Sequence, residues 1–244
     1  MQSVRFGVEK IDELLGGGIA KGRVSFIAGD SGTGKTVLAL KFLHEGLRVG
    51  EKCLYIATDT HPGPLINKIG ESFGWNLMSL TVMDAVPSRS LYSTVYPVRD
   101  VTAKGELRDV SELNKNVEKG ELTLESLQSK LELEYKEQRF ERVVIDSLTT
   151  LKRFGIEEER RNPVFAKLVR FFVEKGSTAI FTTEGDLEKI EPEIVIGNGV
   201  IFLERERSNF KDLRYLRVIK NRGFKFNNER VVFEINEKGI DFHE

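Results

Sequence analysis

The sequence predicts an α/β fold, with a mostly parallel central sheet flanked by helices and an antiparallel extension at its C-terminal end. Three observations predict it. Short apolar runs alternate with amphipathic stretches of helical period up to about residue 199. A glycine-rich octapeptide, Gly29 to Thr36, joins one such run to one such stretch. From Gly199 onward the pattern changes to short strands with no helices between them.

Taken in order, Arg23 to Ala28 reads as the first core strand and Val37 to Leu43 as a helix with no breaker. The intervening Gly29-Asp30-Ser31-Gly32-Thr33-Gly34-Lys35-Thr36 fits G-x-x-x-x-G-K-[ST], the phosphate-binding loop, in the strand–helix context that the motif requires. Its glycines let the backbone turn tightly and aim consecutive N–H groups at a polyphosphate. The helix that opens there, with Val37 in its first turn, adds the positive end of its dipole. Lys35 can reach the outer phosphates, and the Thr36 hydroxyl can ligate Mg²⁺. A chain with this motif is expected to bind a nucleoside triphosphate.

Cys53 to Thr58 is the next strand, Pro62 to Phe73 a helix with Leu65, Ile66, Ile69 and Phe73 on one face, and Leu80 to Met83 a third strand. Residues from about Ser88 to Gly120 are charged and rich in Gly, Ser and Asn. They read as an irregular segment, either a functional loop or partly disordered. Leu122 to Gln138 is an amphipathic helix capped at Thr123, with Ser126 in its first turn. Arg142 to Asp146 is a strand, Pro163 to Lys175 a helix and Ser177 to Thr183 a strand. Val200 to Glu206, Leu213 to Lys220 and Arg230 to Ile235 complete the set, with Asn227-Asn228 read as a hairpin turn. No repeat or linker divides the chain, so residues 1–244 are expected to form one domain.

The strand Val143-Val144-Ile145 delivers Asp146 to its end, the Walker B pattern. A buried strand can bring that carboxylate beside the phosphate loop, where it orients the water shell of Mg²⁺. Thr36 and Asp146 are therefore the candidate metal residues.

Composition bounds the partners. The formal net charge of −1 supplies no overall attraction to nucleic acid or anionic membrane. No apolar run is long enough to span a bilayer. Cys53 is the only cysteine, which excludes an intrachain disulfide and points to a cytoplasmic setting. It reads as a small buried hydrophobe, and Trp75 as packing in the core or near a nucleotide base. His44, His61 and His243 lack metal-ligand spacing. A charged content of 31% with few glutamines resembles the composition of hyperthermophile proteins.

Several segments together carry a family resemblance across nearly the whole chain. Phe6 to Ile19, Ser72-Phe73-Gly74-Trp75, Val144 to Thr149, Lys220-Asn221-Arg222-Gly223, and Phe233-Glu234-Ile235 followed by Lys238-Gly239-Ile240 resemble the KaiC/RadA branch of RecA-like ATPases. Within that branch the chain resembles the single-domain KaiC-like ATPases of archaea. The clock protein carries two such domains in tandem, so a clock role does not follow. The resemblance implies a RecA-like P-loop fold and ATP with Mg²⁺ as ligands. It also implies a homo-oligomer, a hexameric ring or a filament, with ATP held between subunits. Ser72 is implied as a neighbour of the base. Lys220 and Arg222 are implied to reach the neighbouring subunit's γ-phosphate, although a solvated basic strand end is the simpler reading of the same residues.

One departure bears on catalysis. The family carries two adjacent glutamates at the end of the second strand, one of which polarises the attacking water. Here those positions are Asp59-Thr60. Asp59 is a shortened candidate base or a helix cap before Pro62. The leading reading is therefore a Mg-ATP-binding ATPase of slow turnover, coupled to oligomer state or to an unidentified protein partner. A non-hydrolysing nucleotide switch and a recombinase-like DNA-binding paralogue are the alternatives. A small-molecule kinase is disfavoured by the distant Walker B strand and by Lys-x-Arg-Gly. DNA binding is disfavoured because the segment after Thr183 carries Glu184, Asp186, Glu188, Glu191 and Glu193 against Lys189 alone.

Overall fold

The computed structural model describes residues 1–59, 61–85, 99–101, 107–109, 124–154, 161–208, 211–237 and 239–242. Thr60, the cap expected at Thr123, the Ser126 side chain, Glu157 to Arg160, Lys238, His243 and most of 88–120 lie outside that description.

A lead-in section, β1 (Ser3–Val4), α1 (Glu9–Leu14) and β2 (Ile19–Ala20), precedes β3 (Val24–Gly29), the loop and α2 (Lys35–Arg48). Next come β4 (Cys53–Ala57), α3 (Pro62–Phe73) and β5 (Thr81–Asp84). Beyond them lie β6 (Arg99–Val101), β7 (Leu107–Asp109), α4 (Leu124–Glu137), β8 (Arg142–Asp146), α5 (Leu148–Phe154) and α6 (Arg161–Lys175). The chain closes with β9 (Thr178–Thr183), α7 (Glu191–Ile196), β10 (Gly199–Ser208), β11 (Lys211–Asn221), β12 (Val231–Asn236) and β13 (Gly239–Phe242).

Among the described residues, eleven strands form one sheet in the order β13-β12-β11-β10-β3-β9-β8-β4-β5-β6-β7. From β10 to β5 every neighbouring pair is parallel, and both flanks are antiparallel. Strand alternation sorts the core onto two faces. Ile27, Tyr55, Val144, Ile180, Ile201 and Leu203 meet α1, α2 and α3 on one face. Phe26, Ile56, Val143, Ile145, Phe181 and Phe202 meet α4, α5 and α6 on the other. A parallel sheet needs both faces covered, and the near-continuous apolar runs of β3, β4, β8 and β9 supply them.

Two expectations are corrected. The segment read as irregular between 88 and 120 contains β6 and β7, which extend the sheet beyond β5. Their charged three-residue sequences are typical of edge strands and carry no apolar alternation by which to be recognised. The Asn227-Asn228 pair is not a two-residue hairpin turn, because β11 ends at Asn221 and β12 starts at Val231. Instead the Asn227 N–H donates to Leu14 O at 2.8 Å, and its side-chain oxygen accepts from Glu229 N at 2.9 Å. That fastens a long connection to the lead-in section.

Two buried charged side chains hold the lead-in section together and fasten it to α2 and β8. The Asp12 carboxylate accepts the N–H groups of Phe6 and Gly7 and pairs with Arg5 at 3.5 Å. Burial raises its pKa against those bonds. Arg142 donates to Glu51, to Arg5 O and to Phe42 O, and its guanidinium lies over the Phe42 ring. Lead-in section, α2 and β8 are thereby tied together behind the phosphate loop.

Candidate functional site

The loop leaves β3 at Gly29 and enters α2 at Gly34. Both positions demand glycine. Gly29 has φ 145°, and a Cβ there would lie 2.1 Å from the Leu203 carbonyl oxygen of the adjacent β10. Gly34 has φ 106°, and its Cβ would strike Ile235 at 2.6 Å. Between them Asp30, Ser31 and Gly32 are exposed, while Thr33 is buried and its hydroxyl donates to Asp30 O at 2.8 Å. The Lys35 ammonium lies within the loop and donates to Gly29 O at 2.9 Å and Asp30 O at 2.8 Å. Burial lowers its pKa, and the carboxylates of Glu184, Asp146 and Asp30 oppose that shift. Val37 turns its side chain onto the core, so only its backbone N–H can serve the loop.

Asp146 and Thr36 meet at the end of β8. The Thr36 hydroxyl donates to Asp146 Oδ2 at 2.7 Å. Two further hydroxyls converge on the same carboxylate. Tyr55 of β4 donates to Oδ2 at 2.7 Å, and Thr182 of β9 donates to Oδ1. Burial and the adjacent Asp146 charge push the Tyr55 phenol well above its ordinary pKa, so it stays a donor. Strand β9 lies between β3 and β8, which is why a β9 side chain completes this arrangement. Sequence reading missed both partners. A lone tyrosine in an aliphatic strand and the Thr182-Thr183 end of β9 are the signals available for finding them.

The Asp146–Thr36 pair suits Mg²⁺. Its donors are hard oxygens, and a magnesium ion holding one or two protein oxygens fills its remaining positions with water and phosphate oxygens. Among the described residues no cluster of three or more His, Cys, Asp or Glu could hold a metal without such help.

Asp59 is exposed two residues beyond β4, whose Ala57 lies beside Asp146 in the sheet. It contributes to the charge acting on the Tyr55 hydroxyl and so shares the carboxyl edge with Asp146. The capping alternative is not realised: the cap position of α3 is His61, with no side-chain cap bond. His61 instead pairs with Asp84 at 2.8 Å. Next to this edge, Thr58 Oγ1 donates to Ser147 O at 2.6 Å and accepts from Ser147 N at 2.8 Å, locking the ends of β4 and β8 together.

The structure does not bring Lys220 and Arg222 to the loop of their own chain. Val200 pairs with both Lys220 and Phe26, and Gly199 with Asn221 and Ser25, so this segment sits where β3 begins, whereas the loop starts where β3 ends. Three residue steps of β3 separate the level of Lys220 from Gly29 and four separate that of Asn221, roughly 10–13 Å of strand. Lys220 Nζ donates to Ile194 O, and Arg222 to Val195 O at 3.4 Å, both at the end of α7. Burial, then the Arg222 charge, lowers the Lys220 pKa. Ser72 is exposed at the end of α3, three residues before a buried Trp75 that stacks on His44 at 5.5 Å. Trp75 therefore belongs to the core. Cys53 is buried and its thiol is pushed up to about 12 by burial, in line with a packing role.

After Thr183 the chain stays acidic. Lys189 pairs with Asp186 at 2.7 Å, and Glu193 is buried, accepting from Thr183 at 3.1 Å. No helix among the described residues is long and apolar enough to cross a membrane.

The family described as "ATPase: KaiC" matches residues 4–244. The chain is similar to a UPF0273 protein of Thermotoga maritima, at 29% identity over 244 residues, covering 98% of this chain and 95% of the relative. It is 27% identical over 230 residues to the circadian clock oscillator protein KaiC of Prochlorococcus marinus, covering 91% of this chain but 42% of that protein. The crystal structure of a KaiC-like protein from Pyrococcus horikoshii superposes with a TM-score of 0.77 at 23% identity, covering 100% of this chain and 99% of the other, and shows the same fold. The chain, an α/β protein of RecA-like fold, belongs to the KaiC ATPase family.

Proposed function

We propose that residues 1–244 act as one Mg-ATP-dependent ATPase domain of slow turnover, coupled to the assembly of its own copies. The observation that carries the reading is the convergence of loop and carboxylate. Lys35 is held inside the glycine loop, and Thr36 at the start of α2 is hydrogen-bonded to Asp146. ATP would place its phosphates on the N–H groups of residues 29–37, with Lys35 moving from the loop carbonyls to the phosphates. Thr36 and Asp146 would hold Mg²⁺, which neutralises phosphate charge.

Asp59 would be the group on this edge that accepts a proton from water. It is one methylene shorter than the glutamate of the family pattern, and a displacement of about an ångström can lower the rate ~10²-fold. Slow turnover follows. Lys220 and Arg222, remote from their own loop, serve the neighbour's γ-phosphate in a ring or filament. The same Asp59-Thr60 pair favours one second reading, a switch that binds ATP without hydrolysing it and recruits a partner protein. A single buried cysteine fits a cytoplasmic setting for either.

Light scattering on size-exclusion fractions, with phosphate release measured on the same fractions, tests these readings. Mg-ATP is expected to enlarge the particle and release phosphate slowly, and Asp59→Asn to stop release while leaving nucleotide binding intact. Assembly with no phosphate release selects the switch. No response to nucleotide of either kind removes both.

DNA is expected to bind weakly. Phosphate backbones are held by cations whose counterion release sets affinity, and the segment after β9 is acidic with its lysine already paired. Fluorescence anisotropy with a single-stranded oligonucleotide at physiological salt and Mg-ATP checks this. Submicromolar binding with a steep salt dependence would reinstate the recombinase alternative.

A further inference from the structure

Strand β10 runs past the end of β3. Leu203 is level with Gly29, so Arg205 stands two residues beyond, beside the loop. Alternation puts Arg205 on the face of Ile201 and Leu203, the face on which α2 packs. The side chain reaches the loop itself: a Cβ built on Gly32 would lie 3.2 Å from Arg205 Nη1.

A second arginine stands directly across. Arg205 pairs with Arg214 of β11, and Arg214 pairs in turn with Phe233 of β12. Phe233 and Ile235 are the side chains that touch Gly34. Arg214 therefore sits between the strand that meets Gly32 and the strand that meets Gly34. Its Nε is buried and has no hydrogen-bond partner among the described residues.

Like charges directly opposite on neighbouring strands are destabilising. The two glutamates that flank Arg205 in β10 do not pair with it. Glu204 and Glu206 are on the opposite face, where both bond Arg230 at 2.8 and 2.5 Å, and Arg230 lies over the Tyr215 ring. Two adjacent guanidiniums, one with a buried unpaired N–H, against a glycine loop built for phosphate, make a site for an anion.

The strand order fixes which end of a nucleotide they would meet. Asp146 on β8 and Asp59 beyond β4 lie on one side of β3, and Arg205 and Arg214 lie on the other. We infer that Arg205 and Arg214 form a cation pair, supplied by the same chain as the loop, that grips the α- and β-phosphates of the bound nucleotide on the flank opposite the metal. The inference rests on the nucleotide reading of the loop. The bound phosphates relieve the repulsion between the two guanidiniums, and planar bidentate donors suit phosphate oxygens. Contacts on that flank are the same for ATP and ADP, so they add affinity without adding to the chemical step.

The test is calorimetric titration of the full chain with Mg-ATP and with Mg-ADP, for wild type, Arg205→Ala, Arg205→Lys, Arg214→Ala and Lys35→Ala. Arg205→Ala is expected to weaken ATP and ADP equally, by about tenfold, with Arg205→Lys between it and wild type. Its nucleotide-free melting temperature should stay level or rise, an outcome that loss of a structural contact would not give. Arg214→Ala should reproduce the affinity loss. Equal affinities in wild type and Arg205→Ala, with Lys35→Ala defective, would overturn the arginine pair and leave the loop reading intact. A loss confined to ATP would put the arginines on the γ-phosphate and overturn the flank assignment. A wild-type chain that binds neither nucleotide would overturn the loop reading and the pair together.

Discussion

Lys35→Ala is expected to erase most of the thermal stabilisation that Mg-ATP confers on this protein. With nucleotide at about a hundred times its dissociation constant, mass action stabilises the folded state by roughly 2.7 kcal/mol. For a domain of this size that is a rise of roughly 5–10 °C in melting temperature. The ammonium of Lys35 is buried and donates to the two carbonyls that shape the loop, so its removal takes away the cation held inside the loop. Removing it also leaves Gly29 O and Asp30 O without that donor, and the nucleotide-free melting temperature should fall as well. The informative quantity is therefore the nucleotide-induced shift of each protein against its own baseline, measured by differential scanning fluorimetry. A shift of the same size in wild type and variant would place the nucleotide somewhere other than this loop.

The second large effect is expected at the remote cations. An arginine finger is worth roughly 10³–10⁵ in turnover, so Arg222→Ala should lower phosphate release by about that factor in an assembly that still binds ATP. Lys35→Ala should be equally inactive for the opposite reason, having a finger and no competent loop. Mixing the two should restore activity, because some interfaces then join an intact loop from one parent to an intact finger from the other. The geometry makes this a clean test. Lys220 and Arg222 lie at the start of β3 and the loop at its end, so complementation within a single chain is not available. Their present bonds to the carbonyls of Ile194 and Val195 are ones a neighbour's phosphates would have to outcompete. Verified mixed oligomers that never exceed either parent would remove the finger role.

The legible parts of this protein were those whose physics is local. The glycine loop is a contiguous string whose conformation is set by the residues in it, and the apolar runs of β3, β4, β8 and β9 announce a doubly covered sheet. Strand order is not local, and the role of Thr182 followed from it. Only the placement of β9 between β3 and β8 brings that hydroxyl to Asp146. Tyr55 was hidden in a similar way, as an ordinary strand residue until β4 is set beside β8. Arg205 was harder still. In the sequence it is one charge in Glu204-Arg205-Glu206-Arg207, which reads as a solvated strand. Alternation then divides that string, sending the arginine to the loop and the glutamates to Arg230. Asp59 shows the reverse case, in which the sequence left both a base and a cap open and the cap position at His61 removed the second.

The separation of loop and finger along β3 carries a stoichiometric consequence. Under the trans role proposed for Lys220 and Arg222, a subunit that offers its cations at one end and its loop at the other would join neighbours head to tail, a heterologous contact that either closes or propagates. In an open string every junction holds a finished site, but the terminal loop faces solvent and stays unfinished. Closing the string recruits that last loop without adding a chain. Phosphate released per chain would then climb with string length toward a plateau and reach it outright on ring closure. Specific activity measured against protein concentration thus becomes a gauge of closure, readable without imaging a single particle.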